Sequence, residues 1–232
     1  MKSAQKLLLA TGLTIVLSST ILLAQTLSPK EIAQKTYSVI DSYQNYAFDA
    51  TIVNHSDEGT NKHQVSVKVN RPNQLRVNIK GDIKHRDNYL NNGQYTVYDY
   101  DKNMYVKIKT PKSIEDALDN LFERYEIQSP LAQLIYSNMG KRIKFTRNKN
   151  FGIMDVAGEA CHYIAFANKS KEVHVWITTG EIPRVKHYRI IDKTSKIHAY
   201  KATTIHWKKA SSISKSDFVF TAPKNAEEVF IK

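Results

Sequence analysis

The sequence has 232 residues, with 34 Lys and Arg against 22 Asp and Glu, a single Cys and eight Gly. One Cys excludes an internal disulfide framework and a Cys-rich metal site, and so few Gly exclude collagen-like or Gly-rich linker composition. With 41% hydrophobic and 24% charged residues, the chain is made like a folded domain with one sizeable core and not like a disordered tail.

At the start, Lys2 and Lys6 precede an uncharged run from Leu7 to Leu23, and Leu22-Leu23-Ala24 puts a small residue at a cleavage position. Residues 1–24 read as a secretory signal peptide and residues 25–232 as one mature domain. As a helix the run spans roughly 25 Å, short of the ~30 Å hydrocarbon layer. Thr11, Gly12, Thr14, Ser18, Ser19 and Thr20 weaken it further as a permanent span. Export to the periplasm is the expectation, and an uncleaved segment anchored in the inner membrane is the alternative. Removing it takes away two Lys and no acid, so the mature chain stays basic. Export withdraws nucleic acid as a partner and leaves anionic lipids, cell-wall polymers or acidic proteins, with membrane contact peripheral at most.

The mature chain opens on a helix. Ser28 stands at the N-cap, Pro29 at the first helical position and Glu31 three residues after Ser28, which is a capping box, and Ile32, Val39, Ile40 and Tyr43 share a side. Residues 46–110 then read as successive strands, because apolar residues alternate with polar ones, as in His63-Val65-Val67-Val69 and Leu75-Val77-Ile79. Asn92-Gly93 and Asp101-Lys102-Asn103 are turns at hairpin spacing. A helical interruption follows. Ser113 caps a segment whose Ile114, Leu118, Leu121, Phe122 and Tyr125 share a face, and Ser129-Pro130 opens a shorter helix through Leu131, Leu134 and Ile135 that Gly140 ends. The remainder returns to strands, the last at Phe218 to Thr221. This pattern is α+β: a large antiparallel sheet of about eleven strands, curled by its own twist, with about three helices on the concave face.

Chemistry-bearing patterns are sparse. Cys161 and His162 are neighbours on a predicted strand, so their side chains point to opposite faces and form no dyad. Cys161 reads as a buried core thiol, with pairing between chains the alternative open to a lone thiol in an oxidising compartment. No Gly-x-Ser-x-Gly elbow and no Gly-rich phosphate loop occurs, the acids at 99, 101, 115, 116 and 119 read as turn and helix-start residues, and the eight His form no His-Glu-x-x-His motif. His174, His187 and His206 could meet only through distant strands. No catalytic residue, metal or cofactor is expected. The aromatic residues, 13 Tyr, eight Phe and two Trp, can fill a core or line an apolar cavity within a curled sheet.

The stretch Val69-Asn70-Arg71-Pro72-Asn73-Gln74-Leu75-Arg76, followed by Asn92-Gly93, Val97-Tyr98-Asp99 and Asn103-Met104-Tyr105, resembles the early sheet of outer-membrane lipoprotein carriers of the LolA/LolB type. Val175-Trp176-Ile177 with Gly180 and Pro183, and Phe218-Val219-Phe220-Thr221-Ala222-Pro223, look like later parts of the same superfamily. Order and spacing over residues 28–223 are closer still to an uncharacterised family of predicted periplasmic proteins in this fold group. The matching features are Asp101 to Tyr105, Ile114 to Leu118, Arg124-Tyr125, Pro130-Leu131 and Cys161 to Phe166. The resemblance implies an incomplete β-barrel with helices as a lid over an apolar cavity that takes acyl chains. It also implies that the arginine of the Arg-Pro segment, here Arg71, holds the lid shut. Asn92-Gly93 stands where the carriers have Asp-Gly, and Leu75 where they have an aromatic residue.

The expected function is therefore non-enzymatic: a periplasmic protein binding a lipid or other lipophilic molecule, such as the acyl chains of a lipoprotein. Candidate lining residues are Leu75, Val77, Ile79, Val97, Met104, Val106, Leu118, Leu121 and Phe122. The alternative is an envelope-sensor or protein-interaction module of the same fold, with a protein partner of the envelope and no lipid cargo.

Overall fold

A computed structural model describes residues 27–230 apart from residue 143. The expected signal segment lies outside the described residues.

Helix α1 (Pro29–Ser42) starts as its capping box dictates: the Ser28 hydroxyl accepts from the Glu31 amide at 3.3 Å and the Glu31 carboxylate accepts from the Ser28 amide at 2.7 Å. Six strands follow, β1 (Asn45–Ser56), β2 (Gly59–Asn70), β3 (Gln74–Gly81), β4 (His85–Asn91), β5 (Gln94–Asp99) and β6 (Met104–Lys109). Helix α2 (Ile114–Tyr125) is capped by Ser113, whose hydroxyl accepts from the Asp116 amide at 3.1 Å, and it ends at Glu126 in the left-handed conformation. A second run of strands is β7 (Arg147–Val156), β8 (Glu159–Ala167), β9 (Lys171–Thr178), β10 (Val185–Asp192) and β11 (Tyr200–Trp207). All of these pair antiparallel, and the pairing of β1 with β11 joins the two runs into one sheet in the order β6-β5-β4-β3-β2-β1-β11-β10-β9-β8-β7. Strands β6 and β7, at the far ends of these two runs, do not pair with each other, so the barrel is incomplete.

Register decides which residues meet on the concave face. Phe48, Ala50 and Ile52 on β1 oppose Val67, Val65 and His63 on β2, and those oppose Val77, Ile79 and Gly81 on β3. The alternation read from the sequence is thus the alternation of the sheet, and α2 adds Ile114, Ala117, Leu118 and Leu121 to the same core. On the other half, α1 lies against β7 and β8 with Ile32, Thr36 and Ile40 buried.

Two local expectations are corrected. The segment after Ser129-Pro130 is a single 3-10 turn (Ala132–Leu134), and Gly140 does not end a helix but sits inside a one-turn helix α3 (Met139–Arg142). Leu131 adopts a left-handed conformation at φ 63°, which breaks a continuous helix. The carbonyls of Leu134 and Ile135 instead accept from the side chains of Tyr46 on β1 and of Arg71 in the turn after β2. The last strand expected at Phe218 to Thr221 is a 3-10 turn (Lys215–Phe218) running into an irregular strap across the convex face. Phe218 is buried, and the Phe220 ring packs at 5.5, 5.9 and 5.1 Å from the rings of Tyr89, Tyr98 and Tyr105. Apolar anchors at alternate positions serve a strap as well as a strand. Beyond it, β12 (Glu227–Glu228) pairs with β6 in parallel.

Candidate functional site

The curl of the sheet frames a cavity of about 930 Å³ that is open to solvent. Its wall includes Val106 on β6 and Ile190 on β10. These strands are seven steps apart in sheet order and would stand roughly 34 Å apart in a flat sheet at ~4.8 Å per strand. The curl alone makes them neighbours. The volume falls in the upper part of the range for small-molecule sites, roughly 300–1,000 Å³.

Of the residues expected to line it, Ile79, Val97, Met104, Val106, Leu118 and Phe122 are on the wall. Leu75, Val77 and Leu121 are not: each is at most 1% exposed in the packed core. The reason is the placement of α2. The Ile114 amide donates to the Pro72 carbonyl at 2.8 Å, so the helix begins at the Arg71 end of β3 and seals that end over Leu75 and Val77. Ile79 lies further along the strand, beyond the plug. Phe122, one residue past the buried Leu121, is 50% exposed and faces the opening. Sequence reasoning missed Ile52, Tyr95, Ile127, Leu131, Tyr188 and Ile190. The alternation along β1 and β10 was a usable signal for Ile52 and Ile190, but only the strand order shows that those two strands reach the cavity.

At the sealed end, Arg71 ties three elements together. Nη1 donates to Glu115 Oε1 on α2 at 2.8 Å, and Nη2 donates to the Ile135 carbonyl at 2.8 Å and to the Tyr46 hydroxyl at 3.2 Å. The Tyr46 hydroxyl donates in turn to the Leu134 carbonyl at 2.7 Å, and Glu115 Oε1 accepts the Ser137 amide at 3.1 Å. A guanidinium suits this place because its donors fan out in one plane toward a carboxylate and a carbonyl at once. Burial keeps the Tyr46 phenol protonated by pushing its pKa well up. Segment 131–137 and α2 are thereby held to β1 and to the turn after β2.

A second tie closes the lid near the opening. Arg142 on α3 makes a paired contact with Asp119 on α2 at 2.9 and 2.8 Å, and the Tyr136 hydroxyl donates to the same carboxylate at 2.8 Å. The Arg142 hydrogen bonds hold the Asp119 pKa below its ordinary value of 3.8, burial opposing and Tyr136 assisting. A depressed carboxylate stabilises the fold above its unfolded pKa and loses that contribution as the pH falls through the folded value. Both side chains are about a third exposed or more, so the tie is worth only ~0.2–1 kcal/mol. Asp119→Asn should therefore melt slightly below the unaltered chain near neutrality, and the two should converge in acid, once the pH has fallen through the lowered Asp119 pKa. A difference that persists in acid would deny the carboxylate this role.

Elsewhere the chemistry is structural. Cys161 is unpaired and fully buried, and desolvation, then Glu159, push its thiol pKa up. His174 bonds Tyr163 at 2.6 Å and Glu172 at 2.8 Å on the convex face. Among the described residues no group of three or more His, Cys, Asp or Glu could hold a metal ion. No helix among them is long and apolar enough to cross a membrane.

The family model described as "Predicted periplasmic protein (DUF2092)" matches residues 30–232. The chain belongs to this family. The match bears out the resemblance read from the order of motifs, and it runs through both cavity-lining halves of the DUF2092 sheet. An uncharacterized conserved protein from Thermus thermophilus shares the fold, at 11% identity and a TM-score of 0.53 over 87% of this chain and 98% of that one. More distant are a LolA superfamily protein from Nitrosomonas europaea, 10% identical at a TM-score of 0.43 over 84% of this chain and 98% of that one, and the lipoprotein LppX from Mycobacterium tuberculosis, 10% identical at 0.44 over 78% and 94%. No curated protein matches the chain.

Proposed function

We propose that residues 25–232 act as one exported, non-enzymatic domain that holds a lipid or other lipophilic molecule in the cavity, with Arg71 as the latch of its lid. The observation that carries this reading is a hollow of about 930 Å³, open to solvent, whose wall includes Ile52, Ile79, Val97, Met104, Val106 and Leu118. Side chains of that kind left facing a hollow forgo contacts that a bound chain would supply. At ~0.8 kcal/mol per methylene, a fourteen-methylene chain gains about 11 kcal/mol before ordering costs, enough for tight holding.

Protein purified from the envelope should release lipid on solvent extraction, and the delipidated protein should take up the neutral fluorophore N-phenyl-1-naphthylamine. Val106→Trp places a large ring on the wall from β6. It should cut that uptake at least about tenfold while leaving the far-ultraviolet circular dichroism unchanged. Neither extracted lipid nor probe uptake in the unaltered protein would overturn the reading.

A further inference from the structure

The wall of the cavity is uneven in charge. It carries Lys84, Arg86, Lys102, Arg142 and Lys201 against two carboxylates, Asp99 and Asp119. Both carboxylates are already engaged, Asp99 by Arg86 at 2.9 Å and Asp119 by Arg142 at 2.8 Å. Lys84, Lys102 and Lys201 have no ion-pair partner among the described residues.

Two of these lysines act on one spot. Lys201 stands on the concave face of β11, on the same side as the buried Thr203 and Ile205, with Asn54 of β1 and Ile190 of β10 opposite it. Lys84 precedes β4 in the short turn closed by the Gly81 amide on the Lys84 carbonyl at 3.0 Å. On the concave face of β2, within reach of both charges, His63 is 7% exposed, and its Nδ1 is buried without a hydrogen-bond partner. The ring is pressed against Gly81, where a Cβ would fall 2.0 Å from Nδ1. Desolvation, then the charge of Lys84, lowers the His63 pKa; Asp82 opposes this and Lys201 adds to it. Asp82 is itself occupied, accepting the Lys62 amide at 2.7 Å. The Lys201 ammonium is likewise held below its ordinary pKa by desolvation, then by Lys84 and Lys171. Lysines without an ion-pair partner repel one another across the wall of the hollow, and an anion between them would relieve that repulsion.

Resting on the lipid-binding reading and going further, we propose that the cavity selects amphiphiles with an anionic head. The head, a carboxylate or a phosphate, is held by Lys84 and Lys201 at the opening, and the chain runs inward past Ile79, Val97 and Val106. Polar residues at the mouth then set selectivity, while the wall supplies the bulk of the affinity.

The test displaces N-phenyl-1-naphthylamine from delipidated protein with palmitate, with palmitoyl lysophosphatidic acid and with neutral hexadecanol. At least one of the two anions should displace the probe at roughly a tenth of the hexadecanol concentration. Palmitate alone doing so would assign a carboxylate head and the phosphate alone a phospholipid; either supports the proposal. In the Lys84→Gln, Lys201→Gln double variant the anion-to-alcohol ratio should fall to within about threefold. That ratio is read within each protein, so a change in probe affinity cancels. Probe entry with all three competitors equal, or a double variant that keeps the preference, would overturn the anionic head while leaving the cavity reading intact. No probe entry at all, in a protein that also releases no lipid on extraction, would overturn both.

Discussion

Arg71→Ala should cost about 3 kcal/mol of unfolding free energy and speed the exchange of bound probe. The side chain is 10% exposed, and its removal strands Glu115, itself 18% exposed, along with the Ile135 carbonyl. Leaving a half-buried carboxylate without its cation is more damaging than losing the attraction, because the remaining charge keeps its desolvation cost. Arg71→Lys should recover part of the stability, since one ammonium can reach Glu115 or Ile135 but cannot serve both in the planar geometry of a guanidinium. Exchange is the more telling quantity, because segment 131–137 lines the cavity through Leu131 and Tyr136 while its carbonyls are tied down at Tyr46 and Arg71. Urea unfolding and stopped-flow probe release would measure the two effects. A chain that loses stability but releases probe at the original rate would show that Arg71 is a structural residue and no latch.

The second large effect is expected on the opposite face of the sheet. Asp87 is fully buried on the convex side of β4, where it accepts from Arg76 Nε at 3.2 Å and Nη2 at 2.7 Å, from the Tyr89 hydroxyl at 2.8 Å and from the Tyr100 hydroxyl at 3.3 Å. Desolvation, then Asp87, drives the Tyr89 pKa up, which keeps that donor protonated. Asp87→Ala removes the acceptor of four hydrogen bonds from three side chains and should destabilise the protein by about 3–5 kcal/mol. The loss should extend to the C-terminal strap, because Asp217, which pairs with Lys68 at 2.5 Å, also lies 3.9 Å from Arg76. Chemical denaturation would give the stability change, and tryptic cleavage after Lys215 should quicken as the strap loosens. Under conditions where the variant is still folded, its probe affinity should match the original, because none of these groups lines the cavity. A large loss of affinity in folded Asp87→Ala would contradict the division of labour between the two faces.

Much of this architecture was open to reading from residue order alone. The capping box at Ser28, Pro29 and Glu31 and the Ser113 cap are local arrangements whose partners lie three residues away. The period-two pattern of β2 and β3 is also local, since a strand turns alternate side chains to alternate faces wherever it is placed. The segments that misled did so because their apolar residues are anchors for something remote. Leu131, Leu134 and Ile135 are buried under a lid whose carbonyls bond to Tyr46 and Arg71. Phe218 and Phe220 pin a strap to the convex face. In both cases helix- or strand-like spacing was real and the hydrogen-bonding partner was not the expected one.

The candidate site divides along the same line. That Leu75, Val77 and Ile79 share one strand face follows from their order in the chain, because side-chain direction in a strand repeats every two residues. Whether that face meets a plug or a hollow does not. It depends on α2 starting at the Pro72 carbonyl and thus covering Leu75 and Val77 but not Ile79, and on a curl that brings β6 and β10 to one cavity. The unpaired lysines followed no motif for the same reason: Lys84 and Lys201 are 117 positions apart, and only the β1–β11 pairing carries the second to the rim of the first. Local patterning specifies elements and faces, since both are set by neighbours along the backbone; enclosure and charge imbalance arise from contacts across the sheet, which no local pattern encodes.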